Sequence, residues 1–199
     1  MANDMWRTPK PVFEYYNSRY DFVYDVAASD ENHLCEKYIT EDDNFLTEDL
    51  NGYDIESGSY VWCNPPYSNP LPFVQKCITE SINNGIGTVM LLNHDMSVEW
   101  SSLLVTIGCR IEVFIASGSK QDKDYCNGRM AFLDGDGNPM SGNNKGQFTA
   151  IIPPFVDVHR DADTSYVPLS RVMECGQRMI DESTPRELTK QTENYNLAA

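Results

Sequence analysis

Positive charge is scarce in this chain. Fifteen lysines and arginines stand against 30 aspartates and glutamates, a formal net charge of −15 over 199 residues. Acidic surfaces repel phosphates, so the composition excludes binding through a broad basic face. The deficit is uneven: residues 1–59 hold 14 acids against 4 bases, whereas residues 110–147 hold 5 of each. Arg110, Lys120, Lys123, Arg129 and Lys145 make that second stretch the least repulsive to a polyanion. Long apolar runs are missing too. None approaches the ~20 residues that span a bilayer, and Met1–Arg7 lacks the apolar stretch of a signal peptide. A cytoplasmic protein with no membrane partner is expected.

Metal-binding patterns are equally absent. The six cysteines, Cys35, Cys63, Cys77, Cys109, Cys126 and Cys175, form no Cys-x-x-Cys pair, and the two nearest lie 14 positions apart. They read as reduced, buried, small apolar groups. His33 and His159 have no paired ligands nearby. Asp134-Gly135-Asp136-Gly137-Asn138 runs into Pro139 with no closing glutamate, so it reads as a turn and not a calcium loop. No metal is expected.

What is present is a hydrophobic fraction of 41% and an alternation of strand-like and helix-like segments. Pro9 and Pro11 open a helix over about 12–19, with Thr8 as its cap. Phe22–Val26 reads as a strand ending in Ala27-Ala28-Ser29, and Lys37–Thr40 as a second short one. Ser59–Cys63 is apolar throughout, as a strand buried on both faces should be. It stops at Asn64-Pro65-Pro66, where proline removes ladder donors. A helix over 73–83 ends at Asn84-Gly85. Thr88–Leu92 is a strand, 98–107 a helix and Arg110–Ile115 a strand. Arg129–Leu133 and Gln147–Ile152 suggest a hairpin, and a last helix falls around 169–180. This order predicts an α/β fold, a doubly wound, mostly parallel sheet with an antiparallel terminal hairpin at its edge. Residues 1–155 form the main domain, with a small embedded recognition region at about 117–147. Residues 156–199 are a partly helical C-terminal extension whose polar end frays.

In such sheets ligands sit beyond the carboxyl ends of the strands. Asn64-Pro65-Pro66-Tyr67 falls at one of those ends. An asparagine side-chain oxygen and the next backbone carbonyl are two acceptors at fixed separation, stiffened by proline. Together they can accept both N–H bonds of a planar amino group and turn its lone pair toward an electrophile. Catalysis of that kind is positioning and electrostatics. Tyr67 supplies an aromatic face for a base taken out of its stack. The same tetrapeptide can also serve as a bare turn after a strand.

The chain resembles the phage-type DNA N-6-adenine-methyltransferase family over about residues 5–153, in ordered blocks. Met5-Trp6-Arg7-Thr8-Pro9 resembles the family's opening Trp-x-Thr-Pro. Tyr24-Asp25-Val26-Ala27-Ala28-Ser29, followed by Asn32 and Cys35, is similar to its Asp-x-Ala-Ala segment. Tyr38–Asn44, Val61–Ser68, Met90–Leu92 with Ser97–Trp100, Gly128–Phe132 and Ser141–Gly146 resemble later blocks. The resemblance implies a Rossmann-like class I methyltransferase fold that uses S-adenosylmethionine and acts on adenine N6 in double-stranded DNA, with the target base flipped out. It implies catalytic roles for Asn64, Pro65, Pro66 and Tyr67. It implies cofactor contacts from Trp6, Thr8, Pro9, Asp25, Ala27, Ala28 and Asp43. Ser68, Lys120, Lys123, Arg129, Asn144 and Lys145 are the candidate nucleic-acid contacts. Two departures stand out: Ala27-Ala28-Ser29 replaces the glycine-rich turn of many methyltransferases, and Asn93 stands where a proline often follows the late strand.

Two other readings stay open at this level. The same acceptor pair serves other planar amines, such as cytosine N4 or amines in RNA. The net charge of −15 also fits an acidic DNA mimic or an inactive regulatory relative. An intact amide-and-ring motif argues against a decoy, which has no use for it.

Overall fold

Continuous apolar strands alternating with amphipathic helices cannot bury both faces of a sheet without helices on each side. That requirement organises the computed structural model, which describes residues 4–157 and 160–184. Six strands form one sheet: β1 (Phe22–Asp25), β2 (Tyr60–Cys63), β3 (Gly87–Asn93), β4 (Arg110–Ile115), β5 (Gln147–Ile152) and β6 (Asp163–Pro168). Their order is β1-β2-β3-β5-β4-β6. β1, β2 and β3 pair in parallel, as do β4 and β6, while β5 runs antiparallel to both β3 and β4. Among the described residues the α-helices are α1 (Lys10–Tyr20), α2 (Leu71–Asn84), α3 (Glu99–Thr106) and α4 (Leu169–Ser183). The fold is thus mixed α/β with a mostly parallel sheet, consistent with a methyltransferase fold.

Side chains alternate across the pleat, so each strand feeds two cores. Trp62, Val89, Leu91 and Ile151 join Val12, Phe13 and Tyr16 of α1 and Leu169 and Val172 of α4. Val61, Cys63, Met90, Leu92, Ala150 and Ile152 join Val74 and Cys77 of α2 and Trp100 and Leu104 of α3. Where α1 crosses α4, Gly176 lets the backbones approach: a Cβ there would lie 1.8 Å from the Pro11 carbonyl oxygen. α2 ends as expected at Gly85, which is left-handed with φ 64° and donates its N–H to Ser81 and Glu80 carbonyls.

Several sequence expectations need correction. Thr8 does not cap α1: Pro9 is the N-cap residue and no side chain caps the helix. Proline in the first turn removes one of the N–H groups that a cap would have served. Lys37–Thr40 is no full strand, because it touches β1 through a single parallel bridge, Asp25 with Tyr38. The terminal hairpin does not form either. Arg129–Leu133 never pairs with β5; Leu133 instead exchanges backbone hydrogen bonds of 2.9 Å with Arg7. The antiparallel strand is also not at an edge, since β5 is buried along its whole length between β3 and β4. β6, missing from the sequence expectations, occupies the edge beside β4. His159 and the polar C-terminal end fall outside the described residues.

Candidate active site

β1, β2 and β3 all point their carboxyl ends to one rim, and antiparallel β5 brings its first residue there: Asn93 stands opposite Gln147. Asn64 follows β2 directly onto that rim. Around it a narrow cleft is lined by Asp4, Trp6, Ala27, Asn32, Asn64, Pro65 and Tyr67. The wider groove between Pro11 and α4 is shallow and lies away from the strand ends.

The cleft's polar atoms are under-used. Among the described residues, the buried Asn64 Oδ1 and Tyr67 Oη have no hydrogen-bond partner, and neither does the buried Thr8 Oγ1. An unpaired buried polar group costs about 1–3 kcal/mol. Trp62 Nε1 and Thr88 Oγ1, within β2 and β3, are unpartnered too, but of these residues it is Asn64 and Tyr67 that line the cleft. Burial, with Cys63 adding to it, pushes the Tyr67 phenol well above its ordinary value of 10.0. It stays protonated at neutral pH and cannot serve as a general base.

The aromatic wall is assembled from distant segments. Phe132, fully buried, stacks on Trp6 with ring centroids 5.4 Å apart and meets Tyr67 edge-on at 5.6 Å. The backbone pairing of Arg7 with Leu133 brings the two strips together. Asp4 Oδ1 accepts the Ser68 N–H at 2.9 Å, and the Pro66 carbonyl accepts the Asn69 N–H. The loop after β2 is therefore held from outside by the N-terminal segment.

At the end of β1, Asp25 is only 3% exposed. Its carboxylate accepts the Leu34 N–H at 3.1 Å and the Ala27 N–H at 3.4 Å, which shapes the 26–34 loop. Burial raises its pKa to about 6, against the opposing pull of those two N–H groups and of His33. The small Ala27 side chain faces the cleft, whereas the Ala28 N–H is spent on Ile39 O.

The predicted residues do not all gather at this point. Trp6, Ala27, Asn64, Pro65 and Tyr67 line the cleft together. Thr8 and Pro9 are buried at the start of α1. Asp43 is exposed, and its carboxylate is taken by the Thr40 N–H and hydroxyl, which hold its pKa below the usual carboxylate value. It is not among the cleft-lining residues. Ser68, Lys120, Lys123, Arg129 and Asn144 are exposed on loops. Lys145 is half-exposed and 3.6 Å from Asp95, which also accepts from Ser97. Sequence reasoning missed Asp4 and Phe132 as site residues and gave Asn32 no role. Asn32, placed after the Asp25–Ser29 block, and Phe132, at the end of the Gly128–Phe132 block, carried a signal; Asp4 carried none.

These features define a class: a mixed α/β protein with a cleft whose lining amide and ring stand at the carboxyl end of a parallel strand. Comparison with known proteins narrows it. The family described as DNA N-6-adenine-methyltransferase (Dam) matches residues 1–179, which carries the match through β6 and into α4. The DNA N-6-adenine-methyltransferase of Haemophilus phage HP1 (strain HP1c1) is 34% identical over 178 residues, covering 87% of this chain and 91% of that protein. That of Escherichia phage T1 is 34% identical over 178 residues, covering 86% and 71%. The chain belongs to the DNA N-6-adenine-methyltransferase family.

Proposed function

We propose that this chain methylates the N6 amine of adenine in double-stranded DNA, using S-adenosylmethionine as donor and acting on a base flipped out of the helix. The observation that carries this reading is the unpartnered, buried acceptor Asn64 Oδ1 in one cleft with Tyr67 at the end of β2. Asn64 Oδ1 and the Pro65 carbonyl accept the two N–H bonds of the amine. This orients the nitrogen lone pair out of the ring plane. Neither acceptor needs to be a strong base, because an N–H becomes acidic only as the new C–N bond forms; that proton then leaves to solvent. The Tyr67 ring holds the flipped base by stacking, worth about 1–3 kcal/mol per base. Pro65 and Pro66 keep the acceptors from relaxing.

Residues of the N-terminal segment and of the β1 end fit the donor. In the cleft Trp6 offers an apolar face and Ala27 leaves room for close approach, and the orphaned Thr8 hydroxyl at the start of α1 offers a hydrogen bond. Asp25 holds that loop in shape. When bound, S-adenosylmethionine would supply the methyl group from its sulfonium, the S–CH3 bond breaking to leave a neutral thioether. The fold reading extends to a doubly wound, Rossmann-like class I domain, with 117–147 as its recognition region and 156–199 as a C-terminal extension. Exposed Lys120, Lys123, Arg129, Asn144 and Ser68 are proposed to contact DNA, with Lys145 exchanging Asp95 for a phosphate. Concentrating the few contacts in the charge-balanced stretch answers the overall acidity. No described helix is long and apolar enough to cross a membrane.

The test is mass spectrometry of nucleosides from unmethylated duplex DNA incubated with protein and S-adenosylmethionine. N6-methyladenine is the expected product. N4-methylcytosine alone, or no methylated base, contradicts the reading.

A further inference from the structure

β5 is apolar except at Gln147 and Thr149, and Gln147 is its first residue. The Gln147 side chain is fully buried, yet its amide is fully used. Oε1 accepts the Met130 N–H at 3.0 Å. The two N–H groups of Nε2 are shared among three acceptors, Lys145 O at 2.8 Å, Asn93 Oδ1 at 3.2 Å and Asn143 Oδ1 at 3.3 Å. Asn143 in turn donates to Met130 O at 2.8 Å. One amide therefore ties together the end of β3, the loop 143–145 and the segment entering Phe132.

Strand formation does not require this residue. The β5 ladders to β3 and β4 are backbone interactions, and an apolar side chain would satisfy the burial. A buried polar group is retained against its desolvation cost only where its bonds matter. Here it must donate and accept at once, which an amide does and a carboxylate cannot. The other side-chain tie of this loop to β3's end, Lys145 with Asp95, is half-exposed and of a kind worth little. Met130 lies two residues before Phe132, the ring that meets both Trp6 and Tyr67.

We propose that Gln147 is a positioning residue that sets the DNA-reading loop 143–145 and the aromatic support of Tyr67 in one register. Docking of DNA on that loop is thereby coupled to capture of the base. The inference rests on the function proposed above, with 117–147 as the recognition region.

Gln147→Met keeps volume and removes every polar bond. Gln147→Glu keeps the shape and turns a carboxylate toward three acceptor oxygens. Both are compared with the wild type in radiolabelled methyl transfer to unmethylated genomic DNA, with S-adenosylmethionine affinity measured by calorimetry. The expected result is a KM for DNA raised tenfold or more, kcat lowered less than that, and cofactor Kd within twofold. Should either variant fail to fold, Asn143→Ala leaves Gln147 in place, removes the side-chain bonds of Asn143 to Gln147, Met130 and Lys145, and should raise the DNA KM at least threefold. An unchanged KM in folded variants overturns the inference while leaving the methyltransferase reading intact. So does a loss of cofactor binding in step with KM, which would mean general structural damage. A wild type that transfers no methyl to DNA overturns the functional reading and this inference with it.

Discussion

Replacing Tyr67 separates what its hydroxyl and its ring each do. The hydroxyl is buried and unpartnered. Deleting it in Tyr67→Phe relieves a desolvation cost of about 1–3 kcal/mol. In a domain of this size 1 kcal/mol moves Tm by roughly 2–4 °C, so Tm should rise by several degrees. The π face survives, and kcat/KM for DNA should change by less than about threefold, well under the value of a full stacking contact. Tyr67→Ala removes the face as well. The lost stacking of about 1–3 kcal/mol corresponds to roughly 5- to 150-fold in kcat/KM. Its stability loss should stay below the ~3–5 kcal/mol of a fully buried ring, because Tyr67 is only half-buried. Differential scanning calorimetry and steady-state methyl transfer read the two effects. A lower Tm for Tyr67→Phe would refute the claim that the hydroxyl lacks a partner. Wild-type kcat/KM in Tyr67→Ala would refute the stacking role.

Three further outcomes are expected. Asp25 has a folded pKa of about 6 against an ordinary 3.8, so its folded state holds the proton more tightly. The stability it allows is fully present below about pH 3.8 and is lost as pH rises through about 6, roughly 3 kcal/mol in all. Denaturant melts at pH 4 to 7 should show that slope flattened in Asp25→Asn. Calorimetry should also show wild-type cofactor affinity falling below pH 6 as the loop-holding carboxylate protonates, and an affinity flat across this range would count against that role. Glu112, 3% exposed, accepts from the buried Tyr16 hydroxyl and pairs with Arg19 and Arg110. In Glu112→Ala the two partly exposed arginines rehydrate, so the main loss is the bond the Tyr16 O–H donates to a carboxylate, while its oxygen still accepts from the Thr149 hydroxyl at 2.7 Å. Urea melts should show about 1–3 kcal/mol of destabilisation, and a change under 0.5 kcal/mol (roughly the scatter of surface substitutions) would contradict this.

Local chemistry made much of the molecule legible. Proline after Trp62-Cys63 and glycine after Asn84 end β2 and α2 where the sequence puts those signals, and the motif lands at a strand end as a buried parallel strand requires. Partner choice was harder to read. Residues 129–132 alternate exposed and buried, a strand-like pattern, but their burial comes from packing Met130 and Phe132 into the α1 side of the sheet. The all-buried β5 carried the signature of a central strand, yet chain order suggested an edge. β6 escaped notice because five of its six residues keep some exposure, as an edge strand allows. Asp4 and Phe132 enter the site through contacts with residues 64 and 65 positions away, Ser68 and Tyr67. Neither contact leaves a periodic trace in the sequence.

The most direct measurement compares wild type with Asn64→Ala in single-turnover methyl transfer at saturating S-adenosylmethionine, with cofactor Kd taken from calorimetry on the same samples. Loss of a preorganised acceptor at the reacting amine should slow transfer by about 100-fold or more and leave the cofactor Kd within twofold. Transfer at the wild-type rate by Asn64→Ala would contradict the account.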